Sequence, residues 1–399
     1  MTRFMTWGLC AALVPLLTAC GPEDGAPLAP TVSVSPNPPP VASFEPSLPR
    51  LADGPHLGMI TGFDPLDANR AAVAAARYDQ ARAAGATIGR IQIDWAELET
   101  APGEYDAAAL DDAFAAPELA GMNLVVLLST LDSEGLTVPD HLVEDGRLRD
   151  GLTLGSPEVV DSFTAFLDWL GPHLQQRDVW LLSILNEPKG PIDDGVVNEA
   201  EAVTFYSVAM DQWNEDIPEI GITGTFTTSG PSGIPDFYEA VRVRSDMISF
   251  NYYCLTDDIQ VTGRDAWETR LAQMKANAGD REIFVQELGC PVGFSPQAQA
   301  TSIGGSLENQ VQFFDFLGEV FASDPQFRAA TMFQIYDWSP ELSMIFSGPL
   351  RDAGQDIAAD RLEEWLATSG FLRWSDSFER PGWQTWLMQL ERVRTAREQ

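Results

Sequence analysis

Two glutamates stand out because each one lies at the end of a mostly apolar segment that has the length of a buried β-strand. Glu187 follows the run Val179–Leu185 within the segment Leu-Asn-Glu-Pro, and Glu287 follows Glu282–Gln286 within Val-Gln-Glu-Leu-Gly. Either segment alone is a weak signal. Two carboxylates at one site are the minimum set for glycoside hydrolysis, in which one protonates the leaving oxygen and the other attacks the sugar or activates water.

These glutamates can act together only if their strands belong to one sheet. Apolar runs of strand length alternate with amphipathic helical patterns along the chain, which indicates βα units and a parallel sheet. The predicted strands are His56–Thr61, Ile88–Asp94, Asn123–Ser129, Val179–Leu185, Ile220–Thr225, Met247–Tyr252, Glu282–Gln286 and Ala329–Tyr336. The clearest helical patterns are Ala71–Ala84, Ser162–Leu174, Ala202–Glu215 and Asn309–Ala322.

Eight such units favour an α/β fold of the closed (β/α)8 TIM-barrel type, whose active sites form at the C-terminal ends of the strands. No Gly-x-Gly-x-x-Gly follows the first predicted strand, and the sequence contains no Gly-Lys-Ser/Thr phosphate loop. Nucleotide-binding α/β folds are therefore disfavoured.

The ends of these strands carry a recognisable combination of residues. Strand four ends in Asn186-Glu187 and strand seven in Glu287, while strand six ends in Phe-Asn-Tyr-Tyr and strand two is followed by the segment 95–111. This combination resembles clan A of the retaining glycosidases, a large group that includes family 5 cellulases and mannanases, family 1 β-glucosidases and family 53 galactanases. The resemblance covers residues 56 to about 390, and its specific part is the pair of motifs on strands four and seven.

The resemblance implies a retaining mechanism with defined roles for five residues. Glu187 would be the acid/base and Glu287 the nucleophile. Asn186 would hydrogen-bond the sugar 2-hydroxyl, a contact that strengthens in the transition state. Arg90 and Tyr253 would hydrogen-bond Glu287 and hold it charged and aimed. For Arg90, the alternative is an ordinary partner of some core carboxylate.

Three further residues complete the predicted substrate-binding set. Trp338 would form an apolar floor under the reacting sugar, with ordinary barrel packing as the alternative. Trp95 belongs to the set because it follows strand two, and Asn251 belongs to it because it lies at the end of strand six. Two positions depart from the family 5 pattern, because Asn251 stands where a histidine is frequent and strand three ends at Ser129 without a histidine.

The remaining chemistry-bearing residues are sparse. The three histidines, His56, His141 and His173, do not fall clearly at the predicted barrel mouth, which disfavours a Ser-His-Asp triad or a zinc site. No lysine lies on a predicted strand, which disfavours a Schiff-base lyase. We therefore expect no cofactor and no metal. The alternative function is a catalytically inactive barrel that binds carbohydrate at the cell surface.

The charge balance restricts the partners. The chain of 399 residues has 24 Lys and Arg against 59 Asp and Glu, a formal net charge of −35. Such an acidic surface repels phosphate backbones, so we expect no nucleic acid partner. Anionic polysaccharides are disfavoured for the same reason. We expect a monomer that acts on a neutral β-glycan.

The N-terminal region predicts export and a membrane anchor. Residues 1–20 combine Arg3, a short apolar run and the tetrapeptide Leu-Thr-Ala-Cys, which resembles a bacterial lipobox with Cys20 as the lipidated residue. An ordinary secretory signal is the alternative. Residues 21–50 form a Pro-rich linker, and residues 51–399 form the catalytic domain. We therefore expect a protein attached to the bilayer of the cell envelope.

Two cysteines remain in the predicted catalytic domain. Cys254 follows Tyr253 on strand six, and Cys290 follows Glu287 by three residues on the neighbouring strand seven. Disulfides persist outside the cytoplasm, and a bridge here would brace both strand ends. Two small buried thiols are the alternative.

Overall fold

The computed structural model describes residues 54–61, 66–116, 119, 121–133, 135–144, 147–294 and 303–398. The predicted signal peptide (1–20) with Cys20 and the Pro-rich linker (21–50) lie outside the described residues. Within these ranges, no helix is both long and apolar enough to span a bilayer.

Eight parallel strands close into a barrel, which confirms the predicted (β/α)8 fold. Each strand pairs with its neighbours in chain order, and the last pairs with the first. The strands are β1 (His56–Ile60), β2 (Ile88–Asp94), β3 (Asn123–Ser129), β4 (Val179–Asn186), β5 (Gly221–Thr227), β6 (Ile248–Tyr253), β7 (Ile283–Gly289) and β8 (Phe327–Met332).

Helices surround the barrel and cover the outward side chains of the strands. They are α1 (Ala68–Ala84), α2 (Trp95–Leu98), α3 (Ala107–Phe114), α4 (Pro157–Gln175), α5 (Lys189–Asp193), α6 (Glu199–Asp216), α7 (Pro235–Arg242), α8 (Arg264–Ala278), α9 (Leu307–Ser323), α10 (Pro340–Asp352), α11 (Asp356–Leu366) and α12 (Pro381–Arg397). The C-terminal α12 packs between α1 and α9 and closes the helical ring, where Trp383 donates a hydrogen bond to Gln80 at 3.1 Å.

Burial on both faces explains the near-continuous apolar strands. Outward residues such as Val126 and Leu128 join the large core between barrel and helices. Inward residues fill one level of the barrel with a separate apolar cluster, in which the rings of Trp180 and Phe284 lie 6.3 Å apart. Buried polar residues, including Arg90, also lie on the strands.

Strand β8 ends at Met332, so the predicted end at Tyr336 is wrong. Beyond Phe333 the backbone pairs with a later segment of the chain, because Ile335 accepts hydrogen bonds from the backbone N–H groups of Phe371 and Leu372, both at 2.8 Å. The segment that carries Trp338 is therefore held by the C-terminal region and does not continue the barrel ladder.

Three short antiparallel hairpins follow β2 and β3. Residues Glu99–Ala101 pair with Glu104–Tyr105 after β2. After β3, Leu131–Asp132 pairs with Gly135–Leu136, and Val143–Glu144 pairs with Arg147–Leu148. The first of these two hairpins places Asp132 directly beside the barrel mouth.

Candidate active site

Irregular strand pairing positions both glutamates. The ladder between β4 and β5 shifts register between Ser183 and Asn186, and the ladder between β7 and β8 shifts between Val285 and Leu288. Such bulges redirect side chains and are frequent beside active sites. In β7 the bulge turns two consecutive side chains, residues 286 and 287, toward partners across the barrel.

Glu187 has a left-handed backbone conformation that is rare for residues with a side chain. Its φ is +50°, and its backbone N–H donates to the Thr225 carbonyl at 2.9 Å. This conformation costs free energy, on the order of 1–3 kcal/mol, and persists where the surroundings enforce it. The β4–β5 pairing enforces it here and carries the carboxyl group into the barrel mouth.

Glu287 is fully buried and receives a hydrogen bond on each carboxylate oxygen. The Arg90 guanidinium donates to Oε1 at 2.8 Å from β2, and the Tyr253 hydroxyl donates to Oε2 at 2.7 Å from β6. Gly289 gives the Tyr253 ring room, since a Cβ at this glycine would lie 3.2 Å from the ring. The carboxylate is thereby fixed in orientation, as an attacking nucleophile requires.

Glu187 is also buried but lacks a cationic partner among the described residues. Asn251 donates to its Oε1 at 2.7 Å, while its Oε2 has no hydrogen-bond partner in the part of the chain that the structure describes. Burial raises the pKa of Glu187 to about 8, helped by the charges of Glu287 and Asp132 and opposed by Asn251. Glu187 is therefore protonated at neutral pH, with Oε2 free to present the proton.

Amide groups from two neighbouring strands orient Asn186. Its Oδ1 accepts from Asn251 at 3.1 Å and from Gln286 at 3.3 Å. These two donors direct its Nδ2 toward Asp132, whose Oδ1 lies 3.5 Å away. Asn251 thus contacts both Asn186 and Glu187, at the position where family 5 enzymes frequently have a histidine.

Asp132 is a third buried carboxyl group at the barrel mouth that the sequence reasoning missed. It is 3% exposed and accepts hydrogen bonds from Ser133 at 2.9 Å and Ser129 at 3.2 Å. Burial, together with the charge of Glu287, raises the pKa of Asp132. The available signal was its position three residues after the end of β3, where a barrel places functional side chains.

Trp338 lies in an aromatic cluster near Tyr253. Its ring centroid is 6.2 Å from that of Phe333 and 4.9 Å from that of Phe346 on α10. In the same cluster Trp365 of α11 packs edge-on against Tyr253 with centroids 4.9 Å apart. No sequence signal indicated Trp365, because it lies in a late helix. The role of Trp338 as a sugar platform stays a prediction.

Trp95 packs between the barrel and α4. Its indole N–H donates to Glu99 at 2.6 Å, and its ring centroid lies 4.9 Å from that of Phe163. These contacts are those of a core residue, and a role toward substrate stays a prediction.

The three histidines have other surroundings. His56 contacts Thr87 at the N-terminal end of β1, His141 lies 3.7 Å from Glu99, and His173 packs on Trp169. Among the described residues no group of three or more His, Cys, Asp or Glu is arranged to hold a metal ion.

Cys254 and Cys290 form a disulfide with a Cα–Cα distance of 5.1 Å. The bridge joins the residue after β6 to the residue after β7. It lies one residue from Tyr253 and three from Glu287, so it ties together the two strand ends that carry these residues.

No protein-family model matches the sequence, and no curated protein matches it significantly. Many solved structures have a similar fold. A GH5_18 glycoside hydrolase variant from Streptomyces cattleya, in complex with Manβ1-4GlcNAc, superposes with a TM-score of 0.62 at 18% identity, covering 86% of this chain and 81% of the neighbour. A GH5_18 protein from Bifidobacterium longum subsp. infantis gives 0.61 at 15% identity, covering 86% and 79%.

A third neighbour is the exo-β-1,4-mannosidase Op5Man5 from Opitutaceae bacterium strain TAV5, with a TM-score of 0.59 at 14% identity over 88% of this chain and 62% of the neighbour. The chain shares the fold of these glycoside hydrolases. At such low identities the likeness establishes the barrel fold alone.

Proposed function

We propose that the protein is a retaining glycoside hydrolase that cleaves β-glycosidic bonds of a neutral poly- or oligosaccharide. The observation that carries this proposal is the contrast between two buried glutamates in one barrel mouth. Glu287 is held by Arg90 and Tyr253, whereas Glu187 has a raised pKa and one unpartnered oxygen among the described residues. Two carboxyl groups in such different environments match an acid and a nucleophile.

In the first step, Glu287 attacks the anomeric carbon as the glycosidic C–O bond breaks. Glu187 transfers its proton to the leaving oxygen, and the sugar becomes an ester of Glu287. Ester formation removes the charge of Glu287, which was one cause of the raised pKa of Glu187. Glu187 then remains ionised and takes a proton from the water that attacks the anomeric carbon. Glu287 leaves as a carboxylate. Each of the two steps inverts the configuration at the anomeric carbon, so the product has the configuration of the substrate.

A neutral sugar fits the charges at the mouth. Three carboxyl groups, those of Asp132, Glu187 and Glu287, lie close enough to influence one another, and Arg90 is paired with one of them. A carboxylated sugar would add a further negative charge to this buried cluster, which is costly at low dielectric. The Manβ1-4GlcNAc bound to one neighbour and the mannosidase name of another support a β-linked neutral hexose as substrate.

The test is incubation with a panel of neutral β-glucans, β-mannans and β-galactans, with release of reducing ends as the measurement. We expect release by the wild type from at least one of them and none by Glu287→Ala. Proton NMR of the first-formed product should show the β-anomer. Binding without release would favour the alternative of an inactive carbohydrate-binding protein, and an α-anomer would exclude the retaining mechanism.

A further inference from the structure

Asp132 has no part in the two-step mechanism above, yet its carboxyl group is buried beside it. It is 3% exposed, and its described hydrogen-bond donors are two serine hydroxyls, the backbone N–H of Ser133 and the distant amide of Asn186, none of which carries a charge. An ionised carboxylate offers about four acceptor positions and is costly to bury with weak partners. Another buried acid of this fold has stronger partners, because the Arg380 guanidinium donates a hydrogen bond to each carboxylate oxygen of Asp337.

The direction of the Asn186 amide shows where a ligand group would be received. Asn251 and Gln286 both donate to Asn186 Oδ1, so its Nδ2 must face Asp132. The distance from Nδ2 to Asp132 Oδ1 is 3.5 Å, at the outer limit of a hydrogen bond. A hydroxyl group can accept from Nδ2 and donate to the carboxylate at the same time. An amide donor and a carboxylate acceptor therefore lie side by side, and a hydroxyl group can bind both at once.

We propose that Asp132 accepts a hydrogen bond from the 2-hydroxyl of the reacting sugar, which at the same time accepts from Asn186. This inference rests on the proposed glycosidase function. As the anomeric carbon gains positive charge in the transition state, the neighbouring 2-hydroxyl becomes a stronger donor. A bond to a carboxylate therefore strengthens as the reaction proceeds, and Asp132 stabilises the transition state more than the bound substrate.

The test compares substrates with and without that hydroxyl. The probes are 4-nitrophenyl β-D-glucoside, 4-nitrophenyl β-D-mannoside and their common 2-deoxy analogue. For the wild type and for Asp132→Asn, kcat/KM is measured on the faster hydroxylated probe and on the deoxy probe. We expect Asp132→Asn to lower the ratio of the two values by about 10- to 100-fold, the worth of one hydrogen bond to a charged group. The decrease in kcat/KM should occur with the hydroxylated probe and not with the deoxy probe.

A matched control removes a buried carboxyl group elsewhere. Asp246 is 4% exposed and accepts a hydrogen bond from the Ile222 backbone at 2.8 Å, next to the start of β6 at the other end of the barrel. Asp246→Asn should leave the ratio at the wild-type value, whatever its effect on stability. If Asp132→Asn does not fold, Asp132→Ser, which also lacks the charge, should lower the ratio in the same way.

The outcomes separate this inference from the proposed function. If the wild type hydrolyses neither these probes nor any polysaccharide, the glycosidase proposal fails. If the wild type is active but Asp132→Asn lowers both kcat/KM values by one factor, or changes neither, then Asp132 does not bind the 2-hydroxyl and only the present inference is overturned.

Discussion

The two glutamates carry the same functional group, and their nearest neighbours give them different chemistry. Glu287 is buried with an arginine and a tyrosine pointing at its oxygens. Glu187 is buried with one amide donor, near the negative charges of Glu287 and Asp132. Burial opposes the charged form of an acid unless partners compensate, so the group with the weaker partners keeps its proton.

Removal of each glutamate should therefore have a different effect. Glu287→Ala should abolish activity on every substrate, because no ester can form. Glu187→Ala should lose about 10²- to 10⁴-fold on substrates whose leaving group needs a proton, the usual contribution of general acid catalysis. It should retain rapid ester formation with a dinitrophenyl β-glycoside.

Azide supplies the control for this pair of variants. It should accelerate Glu187→Ala by occupying the vacated space and yield a β-glycosyl azide, and it should not rescue Glu287→Ala. An identical response of both variants to leaving group and azide would contradict the assigned roles.

The raised pKa of Glu187 also predicts a pH dependence. Because the acid must be protonated, kcat/KM for an unactivated substrate should fall as the pH rises through about 8. Measurement of kcat/KM between pH 5 and 10 tests this, with the dinitrophenyl β-glycoside as the control that needs no proton. A flat profile for the unactivated substrate over that range would count against Glu187 as the acid.

The same shift links stability to pH. The pKa of Glu187 is higher in the folded protein than in the unfolded chain, so its contribution to stability is complete below the unfolded value and is lost as the pH rises through about 8. Glu187→Gln cannot ionise and should melt above the wild type at pH 9 but near it at pH 4. The shift should be about 2–4 °C for each kcal/mol relieved. Glu341→Gln, on the exposed face of α10, is the control and should match the wild type at both pH values.

At the scale of the elements, bulges and a covalent bridge fix the strand ends. The register shifts in β4 and β7 bring the two glutamates into the mouth. The bridge between Cys254 and Cys290 then joins the ends of β6 and β7, which carry Tyr253 and Glu287. Because Tyr253 and Glu287 are hydrogen-bonded to each other, a small relative movement of these ends would break a 2.7 Å contact.

Loss of the bridge should therefore lower both stability and activity. The cysteines are 36 residues apart, and closure of a loop of this size in the unfolded chain corresponds to about 2–4 kcal/mol. Denaturation of the double variant Cys254→Ser/Cys290→Ser in guanidinium should show a loss of this order. The reduced wild type is the matched control and should resemble the variant. Alkylation of both cysteines in the denatured, unreduced protein would show that the bridge does not form.

At the scale of the whole molecule, the parallel barrel places the candidate active site at the rim opposite the start of β1. All strands run in one direction, so the carboxyl-terminal ends that bear Glu187 and Glu287 form the rim opposite His56, where β1 begins. We propose that the protein is a lipoprotein of the cell envelope, anchored through Cys20 and the linker 21–50. In that case the linker precedes β1, which begins at the rim opposite Glu187 and Glu287.

This proposal predicts the effect of one substitution far from the barrel. Cys20→Ser should move the protein from the membrane fraction to the soluble fraction, because stable anchoring requires acyl chains. Fractionation followed by immunoblotting measures the shift, and activity on the preferred glycan should be unchanged after solubilisation. A Cys20→Ser variant that stays in the membrane fraction would contradict the anchor.

The barrel itself could be predicted from the sequence because burial on both faces imposes a local pattern. Strands β2 and β3 begin and end where the apolar runs predict, and the helix α1 exceeds its predicted range by one turn at the N-terminus. The positions of Glu187 and Glu287 near the carboxyl-terminal ends of two strands of one barrel followed from the same pattern, since parallel strands bring their ends to one rim. These features depend on composition and spacing within single segments.

Only the tertiary structure decided which groups contact one another at that rim. The end of β8 at Met332 depends on backbone pairing of the following residues with the segment near Phe371. The contact between Trp365 and Tyr253 joins residues that are 112 positions apart in the sequence. Asp132 belongs to the site because the hairpin after β3 brings its carboxyl group within 3.5 Å of the Asn186 amide. Bulges, long-range contacts and desolvation arise from the packing of distant segments. The raised pKa of Glu187 is such a property, because burial and two carboxylates from other parts of the chain produce it.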